Sequence, residues 1–155
     1  MYYNESINLH TIQKRGICIM IKYLNVVYDQ QTDMKENTIS FFDLHNITNG
    51  SVQNISCLHV DKIDYQDRKN KIIEILNKSC MNGSISLKFL NLDLLGTKIK
   101  KKELTGKKFS EIINLTRSVW DHTECIEFLS NINKNVSIDN IGFDDIYTII
   151  QLKKI

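Results

Sequence analysis

The chain has 155 residues, a length that fits one domain with a sizeable core. Apolar residues make up 42% and charged residues 25%, and the net charge is only +2, so disordered, collagen-like and membrane-spanning classes are excluded and nucleic acid is not an expected partner. There is no proline and no alanine, while Ile, Lys and Asn are abundant. This skew indicates an AT-rich genome and is compatible with a phage or other viral source.

The first 19 residues contain no continuous apolar segment of the kind that forms a signal peptide. Met20 opens the first convincing strand, so we expect an N-terminal extension (1–19) and one domain (20–155). No segment approaches the ~20 apolar residues that cross a membrane. We expect a cytoplasmic protein whose scattered cysteines stay reduced, namely Cys18, Cys57, Cys80 and Cys125.

Three strands are predicted in the first third of the chain. They are Met20–Tyr28, Thr38–Leu44 and Val52–His59, and Asn49-Gly50 forms a turn before the third. The loops between them are too short for the crossover helix that parallel neighbours usually require. We therefore expect strands joined by short connections, or strands joined across a sheet without helices.

Helical periodicity begins after these strands. Asp64 is positioned to cap a helix that Asn82-Gly83 ends in a left-handed conformation. Its predicted inward face consists of Tyr65, Ile72, Ile73, Leu76 and Cys80. Ser84–Leu90 then alternates as a strand, and Gly96–Lys102 is predicted to be a lysine-rich connector.

The last third of the chain is predicted to contain two helices and two strands. One helix carries Phe109, Ile112, Ile113, Thr116 and Trp120 on one side. A second helix runs from Asp121 to Asn131 with Cys125, Ile126 and Leu129 inward. The chain closes with strands Val136–Ile141 and Asp145–Lys153, joined by a tight turn that contains Gly142.

The order of these predicted strands and helices, together with some short sequence segments, resembles the C-terminal half of class I S-adenosylmethionine-dependent methyltransferases. The segment Asn49–Ile55 leads to His59–Ile63, and Ile75–Ser79 leads to Met81–Leu87, at the spacing of that family's strand–helix–strand unit. The resemblance covers about residues 38–155. It implies an α/β fold, a Rossmann-like mixed sheet with flanking helices and an antiparallel C-terminal strand pair.

The departures from the family pattern concern the cofactor site. The family places a glycine-rich turn after its first strand, where a Cβ atom would collide with the ligand. This chain has no glycine between Gly16 and Gly50. The family's third-strand acidic residue is replaced by Gln53 or Asn54, and its Glu-His pair falls at Asp61-Lys62. We therefore expect no bound cofactor, and S-adenosylmethionine only if the protein is active.

The residues expected to contact a cofactor, if one binds, are Asp43, His45, Cys57 and His59. Asp43 and His45 are predicted to share one face at the end of a strand, and Cys57 and His59 to share another. No catalytic residue is assigned. Cys57 and His59 with His122 and Cys125 are a conceivable zinc set, but no pair has the short spacing of structural zinc sites, so no metal is expected.

Two charged clusters have ordinary structural explanations. Asp61, Asp64, Asp67 and Arg68 lie near a helix start, where they complement the helix dipole; an acid/base pair is the alternative. Six of the eleven residues from Lys98 to Lys108 are lysines, which form a solvated loop or, alternatively, a polyanion-binding surface.

The preferred interpretation is a degenerate, non-catalytic methyltransferase-like protein that acts through protein contacts or self-association. A homodimer is expected because Met20–Tyr28 is apolar enough to pair at a sheet edge; any other protein partner is unknown. The alternatives are a small active methyltransferase with an atypical pocket at Asp43 and Cys57–His59, and a polyanion-binding module that uses Lys98–Lys108.

Overall fold

The computed structural model describes residues 20–28, 37–132 and 135–155. The predicted extension, with Cys18, lies outside them. The sheet consists of β1 (Ile21–Val27), β2 (Thr38–Ser40), β3 (Val52–Cys57), β4 (Ser79–Leu90), β5 (Val136–Asp144) and β6 (Tyr147–Lys154). The helices are α1 (Arg68–Lys78), α2 (Leu92–Lys100), α3 (Gly106–Leu115) and α4 (His122–Ile132), with 3₁₀ helices at Phe41–Asn46 and Val60–Lys62.

The strand order is β2-β1-β3-β4-β6-β5, with the first four strands parallel and the last two antiparallel to their neighbours. This confirms the Rossmann-like mixed sheet with an antiparallel C-terminal pair. The short connections of the first third of the chain join parallel neighbours, because β1 pairs in parallel with both β2 and β3. Since β1 is interior, it offers no edge for dimerisation; β2 and β5 form the edges of the described sheet.

One face of the sheet is apolar and covered by helices; we call it the apolar face. Its side chains alternate along β1, β3, β4 and β6 and are all buried: Leu24, Val26, Ile55, Cys57, Ile85, Leu87, Phe89, Ile150 and Leu152. Helices α1 and α4 join the same core through Ile72, Ile75, Leu76, Cys125 and Leu129. Removal of this apolar surface from water is the main stabilising contribution to the fold.

The opposite face carries two rows of polar side chains; we call it the polar face. Strand register places Thr38, Asn25, Ser56, Ser86, Gln151 and Asn140 in one row, and Tyr23, Asn54, Ser84, Lys153 and Ser137 in the next. All of them are exposed or half-buried. Parallel strands usually have both faces covered. Among the described residues, the helix between β1 and β3 is the 3₁₀ helix at Phe41–Asn46, and its buried side chains Phe41 and Leu44 join the apolar core.

The helix predicted after Asp64 is shorter at both ends than expected. It begins at Arg68, because the Asp64 carbonyl accepts the backbone N–H groups of Asp67 and Arg68 in the preceding turn. Tyr65 therefore lies outside the helix and is exposed. The helix ends at Lys78, and the chain turns directly into β4, so Cys80 is a strand residue.

Asn82-Gly83 has the predicted left-handed residue, but inside β4 rather than at a helix end. Asn82 has φ 61°, where β4 contains extra residues opposite the step from Val52 to Asn54 of β3. A Cβ atom on Gly83 would lie 2.9 Å from the carbonyl oxygens of both Gln53 and Cys80. This position therefore requires glycine, because backbone atoms approach too closely for a side chain.

Most of the predicted lysine-rich connector is helical. Asn91 caps α2, since its side-chain oxygen accepts the backbone N–H groups of Asp93 and Leu94, and the helix continues to Lys100. Helix α3 follows a Thr105 cap and ends at Leu115. Trp120 thus lies beyond α3, contrary to prediction.

The C-terminal elements agree with prediction apart from one turn. Helix α4 begins after Asp121, whose carboxylate accepts the Glu124 backbone N–H, and buries Cys125 and Leu129. The β5–β6 turn is at Asp145-Ile146, where Asp145 has φ 56°, and Gly142 lies within β5. Among the helices that the structure describes, none has the length and apolarity needed to cross a membrane.

Candidate functional site

The carboxyl ends of β1 and β3 form the natural ligand-binding position of this sheet. From β1 the chain passes to β2 on one side, and β3 pairs on the other, so the strand order reverses between β1 and β3. Open α/β sheets bind their ligands in the crevice at such a switch point. In this chain Tyr28 follows β1, and Leu58 and His59 follow β3.

An aromatic cluster lies at the end of β1. The Tyr28 ring is 6.2 Å from the Phe41 ring and 5.4 Å from the Phe42 ring, between centroids. Phe41 is 2% exposed, so the cluster is anchored in the core. Aromatic side chains therefore pack together at the carboxyl end of β1.

Asp43 and His45 lie on a 3₁₀ helix and not on the predicted strand. β2 ends at Ser40, whose hydroxyl accepts the Phe42 N–H at 3.3 Å and caps the helix. Burial of Phe41 and Leu44, three residues apart, suits a 3₁₀ turn. Asp43 and His45 are both exposed, but they lie about 120° apart around the helix axis rather than on one face.

Cys57 and His59 diverge because β3 ends at Cys57. The Cys57 side chain is fully buried on the apolar face, and burial raises the pKa of its thiol, with a smaller contribution from Asp61. His59 has φ 64°, a left-handed conformation, and its ring meets the Tyr147 ring edge-on at 5.6 Å. The imidazole therefore lies against β6, on the side of β3 away from β1, and the thiol belongs to the core.

Asp61 is a buried acidic residue in the 3₁₀ helix that follows His59. It is 5% exposed; its Oδ1 accepts the Leu90 backbone N–H at 3.2 Å. Its carbonyl oxygen accepts the backbone N–H groups of Arg117 and Ser118. Burial raises the pKa of the Asp61 carboxyl, although His59 and the hydrogen bonds partly oppose the shift. Asp61 therefore joins the end of β4 to the segment after α3.

His59 is the titratable group with ring nitrogens available for chemistry. Burial lowers its pKa, Asp61 opposes this, and Lys62 and Lys88 add to the lowering. The imidazole is thus mainly neutral at physiological pH and is able to accept or donate a proton. The Asp61 carboxylate already accepts the Leu90 backbone N–H, so it does not complete an acid/base pair with His59.

Two further side chains at this edge were missed from the sequence. Lys88 lies with its Nζ 4.8 Å from the Tyr147 ring centroid and 2.9 Å from Asp144 Oδ2. Burial raises the pKa of Tyr147, and the charges of Asp61 and Asp145 add to it. The available signal was strand alternation, which places Lys88 opposite the buried Leu87 and Phe89.

The predicted acidic–basic cluster at the helix start separates in the structure. Arg68 is 1% exposed and pairs with Glu124, and it also donates to the Val119 carbonyl at 2.9 Å. Its guanidinium lies between the Tyr65 and Trp120 rings, 3.9 and 4.5 Å from their centroids. Arg68 therefore anchors α1 to the start of α4, and the cluster provides no acid/base pair.

The candidate zinc residues are not assembled as a set. Cys57 and Cys125 are both buried in the apolar core, and burial raises the pKa of Cys125 to about 12. His59 points toward Tyr147. Within residues 20–28, 37–132 and 135–155, no group of three or more His, Cys, Asp or Glu side chains is placed to hold a metal ion.

No protein-family model and no curated protein matches this chain. Several solved structures do match the chain. A SAM-dependent methyltransferase from Archaeoglobus fulgidus is 10% identical with a TM-score of 0.62, and the match covers 95% of each chain. One from Anabaena variabilis is 9% identical with a TM-score of 0.53, covering 99% of this chain and 75% of that one.

A plantazolicin methyltransferase is 11% identical with a TM-score of 0.59, over 84% of this chain and 66% of that one. At such low identity, these matches show a fold. The chain therefore has the Rossmann-like fold of these structures.

Proposed function

We propose that this protein is a methyltransferase-like domain that has lost the S-adenosylmethionine site, transfers no methyl group and acts through contacts with other proteins or with a second copy. The observation that carries this proposal is the packing of Tyr28 against Phe41 and Phe42 at the end of β1.

The steric argument concerns the space beside the first strand. A nucleoside at this edge needs close approach to the main chain, which glycine permits and a bulky side chain prevents. Tyr28, the last residue described after β1, packs on Phe41 and Phe42 at this edge, and the sequence has no glycine between Gly16 and Gly50.

Exposed apolar groups near the same edge support a role in protein contacts. Phe42 is 46% and Leu58 39% exposed, next to the Tyr28 cluster and the end of β3. Self-association by strand pairing would use β5, the longer edge strand. Light scattering over a range of concentrations tests this part, and a strictly monomeric protein would contradict self-association.

The test of the cofactor site is isothermal titration with S-adenosylmethionine and S-adenosylhomocysteine, with an active methyltransferase as the positive control. We expect no binding in the micromolar range. Micromolar binding would overturn the proposal and favour an active enzyme.

In the active-enzyme case, Asp43→Ala should abolish both binding and transfer of a labelled methyl group while the far-ultraviolet circular dichroism stays unchanged. Asp93→Ala is the matched control, because Asp93 is an equally exposed carboxylate, on α2.

A second candidate function, polyanion binding, is favoured by the α2–α3 segment. Lys98 pairs with Asp145 and Lys108 with Glu111, at 3.6 Å in the second case. The remaining lysines are exposed, namely Lys100, Lys101, Lys102 and Lys107. Binding to heparin that weakens steeply with added salt would support this function, and absence of binding at low salt would exclude it.

A further inference from the structure

We propose that the polar face of the sheet, bordered by the lysines of the α2–α3 segment, binds single-stranded nucleic acid. This inference rests on the second candidate function, polyanion binding, and adds the surface and the class of ligand. It is independent of whether the cofactor site is lost.

The floor of this surface is an array of neutral hydrogen-bonding groups. Ser84 donates to the Asn54 side-chain oxygen at 2.6 Å, and Gln151 donates to the Ser86 hydroxyl at 3.2 Å. The side chains of Asn25 and Ser56 hydrogen-bond no other residue of the described ranges. Amide and hydroxyl groups pair with the edges of unstacked bases, which single strands expose and duplexes hide.

Tyr23 provides an aromatic platform on this floor. It is 55% exposed on β1 and is registered with Asn54 on β3, and Lys22 Nζ lies 5.7 Å from its ring centroid. Bases stack on exposed aromatic rings of this kind in proteins that bind single strands. At the far end of the same row lies Lys153, and the Asp139 carboxylate lies beside it, since its Oδ1 accepts the Ser137 hydroxyl at 3.5 Å.

The basic border lies on the same side of the sheet. Leu90 and Tyr147 occupy polar-face positions at the carboxyl end of the sheet, and they pack in one cluster with Leu95 of α2 and Phe109 and Ile112 of α3. Helices α2 and α3 therefore sit on this face beyond the polar rows. The segment from Lys98 to Lys108 between them has six lysines and one carboxylate, Glu103.

These features select the ligand class. A permanent protein interface would bury a more apolar surface than these rows. A neutral carbohydrate would gain nothing from the lysine border. Double-stranded nucleic acid would contact the lysines but would offer no unstacked base to Tyr23. The expectation against nucleic acid came from the net charge of the whole chain, which averages over this local concentration.

The experiment measures fluorescence anisotropy of a labelled oligouridylate with the full chain at two salt concentrations. Heparin and a duplex of equal length serve as competitors. We expect the protein to bind the single strand more tightly than it binds either competitor. We also expect this affinity to fall steeply as salt is added. Tyr23→Leu should weaken binding about tenfold, while Tyr23→Phe retains it because the ring is kept.

Matched variants separate the surface from nonspecific effects. Phe143→Leu removes an aromatic ring that is 62% exposed on the opposite face, and Lys69→Gln removes an exposed lysine on α1. Both should bind like the parent. Lys100→Gln combined with Lys101→Gln should weaken binding and reduce its salt dependence. Unfolding midpoints of all variants check that the fold is retained.

The outcomes distinguish this inference from the function on which it rests. Equal binding of single strand, duplex and heparin, unaffected by Tyr23→Leu, would overturn the single-strand surface and leave polyanion binding in place. Absence of binding to all three probes at low salt would overturn both. Preference for the single strand with loss on Tyr23→Leu would support both.

Discussion

The two faces of the sheet differ in composition and in what covers them, although the same strands form both. On β4, Ile85, Leu87 and Phe89 are buried beneath helices, while Ser84 and Ser86, which alternate with them, are not. The difference follows from the connections. Helix α1 follows β3 and α4 precedes β5, and both pack on the apolar face, whereas between β1 and β3 the described residues form only the 3₁₀ helix at Phe41–Asn46.

This comparison separates the structural part of the fold from the part available for function. The apolar face is covered by α1 and α4 and carries the buried apolar side chains of the main core. The polar face is covered only at its carboxyl end, where α2 and α3 pack on Leu90 and Tyr147, and its two polar rows lie outside that cluster. A surface of amides and hydroxyls across parallel strands is therefore suited to water or to a polar ligand, and it does not require a missing apolar layer.

The largest expected effect comes from adjacent substitutions on β4. Leu87→Ala removes a side chain that is 1% exposed and should lower the free energy of unfolding by about 2–5 kcal/mol. Ser86→Ala changes the polar face and should cost only about 0.5 kcal/mol. Urea denaturation measures both. Similar losses for the two variants would mean that the polar face is as tightly packed as the apolar one.

Much of the fold was predictable from the sequence because alternation and helix caps are local signals. β1, α4 and the C-terminal strand pair were found in this way, with boundaries within a few residues. The segment from Gly96 to Lys100 was missed as a helix because glycine and lysines conceal a short amphipathic pattern capped by Asn91. The change from strand to 3₁₀ helix after Ser40 depends on burial of Phe41 and Leu44, which is a tertiary effect.

The candidate site was less predictable because it depends on where strands end. Cys57 and His59 share a face only if β3 continues through both, and the left-handed backbone of His59 separates them. The polar rows depend on strand register, which joins Asn25, Ser56 and Gln151 across the sheet. The alternation of polar and apolar residues is visible in the sequence of each strand. The alignment of the strands with one another is known only from the folded structure.

A smaller effect is expected at the close contact between β3 and β4. Gly83→Ala would place a Cβ atom 2.9 Å from the carbonyl oxygens of Gln53 and Cys80, and this overpacking should cost about 1–3 kcal/mol. Gly96→Ala is the control, because no atom lies within 4 Å of the added Cβ and the residue is in α2.

Gly96→Ala should therefore stabilise the chain by about 0.5–1 kcal/mol, since alanine favours the helix. Thermal unfolding followed by circular dichroism distinguishes the expected loss of stability in Gly83→Ala from the expected gain in Gly96→Ala. A neutral Gly83→Ala would show that the two strands separate easily at this point.

The smallest expected effect concerns the buried side-chain carboxyl group of Asp61. It lies at the C-terminal end of the parallel strands, where the apolar and polar faces of the sheet meet. Burial raises the pKa of Asp61 above its ordinary value of 3.8, so the folded state favours the protonated form. Stability from this group is present at low pH and is lost as pH rises through the folded pKa. Asp61→Asn cannot ionise, and its side-chain oxygen still accepts the Leu90 N–H. The variant should therefore match the parent at about pH 4 and become the more stable one toward neutral pH.

His59 must be replaced in this measurement, because its titration changes the stability with pH in the opposite direction to that of Asp61. Burial lowers the pKa of His59 below 6.5, so its protonation destabilises the folded state as pH falls. The comparison is therefore made in a His59→Gln background, with urea midpoints across the pH range. If Asp61→Asn were less stable than the parent at neutral pH, the carboxylate would be held charged by its backbone donors. In that case burial would not dominate its pKa, and Asp61 would be the stronger anchor between β4 and the segment after α3.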